Sequence, residues 1–215
     1  MERVQKYTKP ARVFHWVHTV AFFLLLITGI ILFVPAFGAA AQDSWTRVIH
    51  RIGAVLFVVA PLIQIFANPK TAGASIKKAF TWGKDDIGWA MAMPKYYFLG
   101  DESTMPPQDE MNTGQKMWYT LLLIFGPVFL VTGILMWFFK YSLPSTVFQW
   151  SLFAHDVSFI IIFLMFLLHI YLGIIHPMMR KHGGCFRAMV PWDGTVSAEY
   201  AESHHSKWYK EVVKK

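Results

Sequence analysis

Charge is scarce in this sequence. Asp, Glu, Lys and Arg make up 15% of its 215 residues, where a soluble domain carries roughly 25%. That deficit argues against a soluble fold and puts hydropathy ahead of every other signal. Acidic residues are the scarcer half: 13 Asp and Glu stand against 20 Lys and Arg, a formal net charge of +7. In so apolar a chain the excess reports membrane orientation rather than nucleic-acid binding, because Lys and Arg collect on the cytoplasmic side. Cysteine is nearly absent. The single thiol, Cys185, excludes an internal disulfide. It also excludes an iron–sulfur cluster held by this chain alone, which takes about four protein ligands. No internal repeat and no low-complexity segment stands out.

What is abundant is apolar: 55% of the chain is hydrophobic and 17% aromatic. Four apolar runs, about 14–37, 46–67, 116–139 and 148–176, each come near the ~20 residues that cross ~30 Å of hydrocarbon. They predict an all-α integral membrane bundle of four transmembrane helices. The fourth run is long and should tilt or project beyond the bilayer. Pro61 lies inside the second, where neighbouring helices can satisfy the freed carbonyl. The basic start followed by an apolar run resembles a signal peptide. The run, however, exceeds the ~7–15 residues of a signal core, so it is expected to be a span.

Lys and Arg set the expected orientation. The segment before the first span, the connection after the second (counted to Met117) and the tail hold 4, 6 and 7 of them. The other side has Arg47, Arg51 and Lys140. Both termini are therefore expected in the cytoplasm. Residues 1–176 are expected to form the membrane domain, with a cytoplasmic connection at 68–115, and 177–215 a cytoplasmic tail. Trp82, Trp89, Met91, Met93, Tyr96 and Tyr97 in the connection suggest a piece lying at the membrane interface.

Nine histidines occur, and an ionisable residue inside a span is a candidate functional group. His15 and His18 fall in the first span, His50 in the second, and His155 and His169 in the fourth. The fourteen residues between His155 and His169 amount to about 1400° of helix, about 40° short of four turns, over ~21 Å. The two side chains share a face at opposite depths, so one metal cannot use both. Depth supplies partners: His15 with His169 toward the inner surface, His50 with His155 toward the outer. Paired imidazoles on facing helices can ligate iron on opposite sides of a porphyrin, so two haem b groups are expected. A histidine in a span also serves simply as a cross-helix hydrogen-bonding group. His18 is an alternative to His15. His176 and His182 are expected at the interface, and His204-His205 as a solvated pair. Gly29, Gly53 and Gly133 permit close approach of helices or of a porphyrin. Arg12, Arg47 and Arg51 lie near the ligand-bearing ends, where they either pair with haem propionates or snorkel to head groups.

At these residues the sequence resembles a known family. The pieces are Arg12-Val-Phe-His15-Trp16, Arg47-Val-Ile-His50, Asn112-Thr-Gly114-Gln115-Lys116-Met117, Ser151-Leu-Phe-Ala-His155, Leu168-His169-Ile-Tyr171 and His204-His205-Ser-Lys-Trp208-Tyr209. They look like the gamma subunit, a cytochrome b, of membrane-bound respiratory formate dehydrogenases. More distantly, they are similar to the cytochrome b subunits of nickel–iron hydrogenases. The resemblance implies His50 and His155 on the outer haem iron, and His15 and His169 on the inner. It implies a quinone, menaquinone or ubiquinone, near Asn112, Gly114 and His169. Gln115 offers a further amide donor there, while capping of the third helix is the plainer role for Asn112.

The expected function is electron transfer from an iron–sulfur beta subunit, through two haems, to membrane quinone. A molybdenum or tungsten alpha subunit would carry substrate oxidation. The resemblance also implies a bacterial or archaeal cytoplasmic membrane and a trimer of the complex. The alternatives are a cytochrome serving a hydrogenase or other redox enzyme, and, from another class, a haem-free anchor or small transporter.

Overall fold

A computed structural model describes residues 2–42, 44–177 and 184–214. His182, expected at the interface, lies outside them. Among the described residues, four helices are long and apolar enough to cross a membrane: Lys9–Phe33, Trp45–Ala67, Thr113–Phe138 and Ser145–Ile175. Only 6–11% of each apolar window is buried within the chain, so these faces need lipid or partner surface rather than a core of their own. The all-α membrane bundle expected from hydropathy is what the chain forms.

Helix boundaries follow local chemistry. Helix α1 (Lys9–Phe33) carries Pro10 in its first turn, where no N–H is missed. It stops short of the expected Phe37 because Pro35 forces Val34 to extended backbone, and a 3-10 turn, Pro35–Phe37, follows. A short helix α2 (Gly38–Gln42) leads to α3 (Ser44–Ala67), which keeps Pro61 inside it. Helices α4 (Pro69–Phe80) and α5 (Lys84–Leu99) make up most of the connection. Gly100 ends α5 at φ 70°, donating its N–H to the Tyr96 carbonyl; this left-handed cap suits glycine. Helix α6 (Thr113–Phe138) and helix α7 (Ser145–Ile170) are the third and fourth spans. Helix α7 runs on into a π turn, Tyr171–Ile175, before Pro177.

The chain divides into two compact units. One contains 14–69 and 121–166, the greater part of the spans. Within it Gly53 is a packing position: a Cβ there would lie 3.2 Å from both Leu24 and Leu25. Phe22 and Phe166 meet at 4.7 Å between ring centres.

The other unit contains the described parts of 1–13, 70–120 and 167–215. The tail is folded here, as helix α8 (Gly184–Met189), strand β2 (Thr195–Ser197), helix α9 (Ala198–His204) and helix α10 (Ser206–Val213). Strand β1 (Arg3–Gln5) pairs antiparallel with β2, Val4 opposite Val196. Tyr96, Ala188, Val196, Tyr200, Ala201 and Trp208 form its core. Burial lowers the Lys6 pKa to about 8, against the opposing pull of Cys185, Glu110 and Asp109; its ammonium bonds the Glu110 carbonyl at 2.9 Å. His205 is fully buried and His204 bonds the Tyr96 hydroxyl at 2.5 Å. The expectation of a solvated His204-His205 pair is thus corrected: the aromatic core of the tail needs their ring surface, and Asp109 and Tyr96 supply the partners.

Candidate functional site

His50 on α3 and His155 on α7 bring their rings to 6.4 Å between centres, tilted by 55°. That separation leaves room for one metal ion between the two rings at ordinary metal–nitrogen bonds of about 2.0–2.1 Å. Nδ1 of His50 lies 2.8 Å from the Thr28 hydroxyl, and Nδ1 of His155 lies 2.8 Å from the Thr132 hydroxyl. Nε2 of each ring has no hydrogen-bond partner among the described residues, so the donor left over on each is a neutral imidazole nitrogen of the kind that ligates iron. The residues present therefore fit a haem held by two histidines. Gly29 follows Thr28, and a Cβ on it would meet Phe159 at 3.6 Å and the His50 ring at 3.8 Å. Gly133 follows Thr132, and nothing lies within 4 Å of where its Cβ would stand. Phe129 sits edge-on to His155 at 4.9 Å.

The first helix distinguishes its two histidines. His18 donates from Nε2 to the Phe57 carbonyl at 3.1 Å and stacks on Phe57 at 4.0 Å. His15 has its Nδ1 buried with no hydrogen-bond partner. His169, in the last turn of α7, is exposed and stacks on Trp118 at 5.1 Å and 12°. His176 is buried and donates to the Tyr97 carbonyl at 3.0 Å.

Asn112, Gly114 and Gln115 open α6. The Asn112 side chain accepts from the Gln115 amide at 2.9 Å, and the Gln115 side chain accepts from the Asn112 amide at 3.0 Å. This reciprocal pair is a capping box built on Asn and Gln. Oδ1 and Oε1 are used by the cap, which leaves the side-chain amide N–H groups as donors. Gln115 points its own toward the Tyr7 hydroxyl at 3.4 Å. Gly114 has Trp89 where a Cβ would be, at 3.3 Å, so glycine lets the α6 start pack on α5.

The arginines differ in what they touch. The Arg12 guanidinium is buried and donates to the carbonyls of Tyr7 at 2.6 Å and Pro191 at 3.1 Å, with Nε unpartnered. Gly194, at φ 90°, makes room for it: a Cβ there would stand 2.0 Å from the guanidinium. Arg51 lies over the Trp137 ring at 5.1 Å, and Arg47 is exposed.

Residues 6–192 match the family described as prokaryotic cytochrome b561. The chain is 30% identical over 208 residues to the nitrate-inducible formate dehydrogenase cytochrome b556 subunit of Escherichia coli K12, covering 94% of this chain and 88% of the relative. It is 28% identical over 221 residues to the formate dehydrogenase cytochrome b556 subunit of Haemophilus influenzae, covering 98% and 84%. A second subunit of Escherichia coli K12, cytochrome b556(fdo), is 26% identical over 227 residues.

Proposed function

Because the chain belongs to the prokaryotic cytochrome b561 family, and is a membrane cytochrome b, we propose that it is the di-haem subunit of a respiratory formate dehydrogenase complex. It anchors that complex in the bacterial cytoplasmic membrane and passes electrons from an iron–sulfur subunit to menaquinone or ubiquinone. A molybdenum or tungsten subunit oxidises the substrate. The relatives named for formate dehydrogenase span nearly the whole chain, which supports the partner assignment.

The observation that carries the haem assignment is the His50–His155 pair, 6.4 Å apart with each Nδ1 taken by a threonine. These two histidines hold the outer haem, and His15 and His169 the inner one. Support for the inner pair is the resemblance and, from the sequence, the shared inner depth of the two histidines in their spans. Bound haem b supplies one-electron chemistry at iron. The chain's part would be to fix the ligand nitrogens of His50 and His155, with Phe129 edge-on to the His155 ring and Phe159 beside Gly29. Asn112, Gly114 and Gln115 receive the quinone, the side-chain amide of Asn112 serving one of its carbonyl oxygens while that of Gln115 reaches Tyr7 and Cys185. The Lys and Arg bias supports cytoplasmic termini, residues 177–215 being a cytoplasmic tail. Arg51 and Arg47 stand near His50 in sequence and serve haem propionates; Arg12 gives two of its five N–H groups to the Tyr7 and Pro191 carbonyls, and its Nε–H is among those left for that role.

The test is the purified complex. Two haem b per chain, reduced on addition of formate and reoxidised by a quinone, are expected, with iron–sulfur and molybdenum or tungsten subunits co-purifying. A chain that binds no haem contradicts the proposal.

A further inference from the structure

Threonine inside a membrane helix commonly turns its hydroxyl back on the carbonyl four residues earlier. Two serines of α7 do this: Ser151 bonds the Val147 carbonyl at 2.8 Å and Ser158 the Ala154 carbonyl at 2.7 Å. Thr28 and Thr132 do it too, to Leu24 at 2.5 Å and Val128 at 2.6 Å. Each then makes a second bond, at 2.8 Å in both cases, to a histidine of another helix. A hydroxyl has one proton. With that proton given to the carbonyl, the threonine oxygen can only accept, so Nδ1 of the histidine must be the protonated nitrogen. The neutral ring then has its lone pair on Nε2.

The arrangement occurs twice with different residues. Thr28-Gly29-Ile30 on α1 faces His50, and Thr132-Gly133-Ile134 on α6 faces His155. Both threonines are buried, 5% and 6% exposed. The three-residue echo is short, and only the shared hydrogen-bond pattern gives it meaning.

We propose that Thr28 and Thr132 are positioning residues for one haem, fixing the tautomer and ring orientation of its two axial histidines and thereby setting its potential. This rests on the reading that His50 and His155 ligate the same iron. A hydrogen bond donated from Nδ1 raises the basicity of the coordinating Nε2. A more basic ligand favours ferric over ferrous iron, so each threonine holds the midpoint potential of this haem down. Loss of such an outer partner weakens metal binding about 10–100-fold in other sites.

The test uses the full complex in membranes, carrying Thr28→Val, Thr132→Val, Thr28→Ser or His50→Ala. Potentiometric titration of the haem absorbance and the haem content per chain are measured. Each valine variant is expected to raise the midpoint of a single haem, the one lost in His50→Ala, and to weaken its retention about 10–100-fold. Thr28→Ser, which keeps the hydroxyl, should restore both. The other haem is the control for folding. Unchanged midpoint and retention in both valine variants would overturn the inference, as would an equal shift of both haems. If His50→Ala removes no haem, the ligand assignment has failed instead. If it removes one while the valine variants are silent, only the threonine role has failed.

Discussion

His15 and His18 stand one turn apart on α1, and only His15 has a buried ring nitrogen, Nδ1, with no hydrogen-bond partner. His18 is occupied, its Nε2 donating to the Phe57 carbonyl and its ring stacked on Phe57. A buried polar nitrogen left unmatched costs about 1–3 kcal/mol, so of these two rings His15 is the one left with an unmet polar atom.

His18→Ala should therefore leave both haems bound, while His15→Ala removes one. The cost of His18→Ala is packing against Phe14 and Phe57, a destabilisation of about 1–3 kcal/mol. Haem content and the visible spectrum of each variant decide this. Haem loss in His18→Ala with full haem in His15→Ala would reverse the pair.

Asn112 has two separable roles. Its Oδ1 caps α6, which any short acceptor can do, and its amide N–H is the proposed quinone donor. Asn112→Asp keeps the cap but loses the donor. It should slow quinone-dependent haem reoxidation at subsaturating quinone by about 2–13-fold, the worth of one net hydrogen bond. Asn112→Ala should do the same and in addition destabilise the α6 start by about 1 kcal/mol. Neither should remove a haem. Kinetics of formate-reduced membranes over a range of quinone concentrations measure the effect. Wild-type kinetics in Asn112→Asp would remove Asn112 from the quinone site.

His205 makes the folded tail sensitive to acid. Burial, and next the charge of Lys6, hold its pKa well below the usual histidine value, against the hydrogen bond to the Asp109 carbonyl. In the unfolded chain the ring titrates near about 6.5. Below that pH the unfolded state binds a proton that the folded state refuses. The stabilisation is thus fully present above about pH 6.5 and falls as pH drops, by at most about 1.4 kcal/mol per pH unit. Limited proteolysis of the tail between pH 7.5 and 5 should show opening that increases with acid. His205→Asn, which can still donate to Asp109, should flatten that dependence. Parallel pH profiles for the two proteins would contradict it.

The spans were legible in the sequence because hydropathy alone decides them; their ends were not, since Pro35 cut α1 before Phe37 and Asn112 began α6 before Lys116. The histidines were legible because a titratable ring in lipid is costly wherever it stands. Thr28 and Thr132 were not. A threonine in an apolar helix reads as a back-bonding residue, and only the position of the neighbouring helix shows what accepts from the ring. His205 was misread for a similar reason. Two adjacent histidines in a polar tail look solvated until β1 pairs with β2 and the tail acquires a core of Tyr96, Tyr200 and Trp208. Arg12 shows the same dependence on distant chain, its partner Pro191 being remote in sequence.

The measurement that bears most directly on the central claim is haem content, by quantity and spectrum, in the complex carrying His50→Ala, His155→Ala or His15→Ala. His50→Ala and His155→Ala should each lose one haem of two, and the same one, leaving identical residual spectra. His15→Ala should lose the other. If His50→Ala and His155→Ala lose different haems, or if either loses the haem that His15→Ala loses, the two histidines that stand 6.4 Å apart do not share an iron.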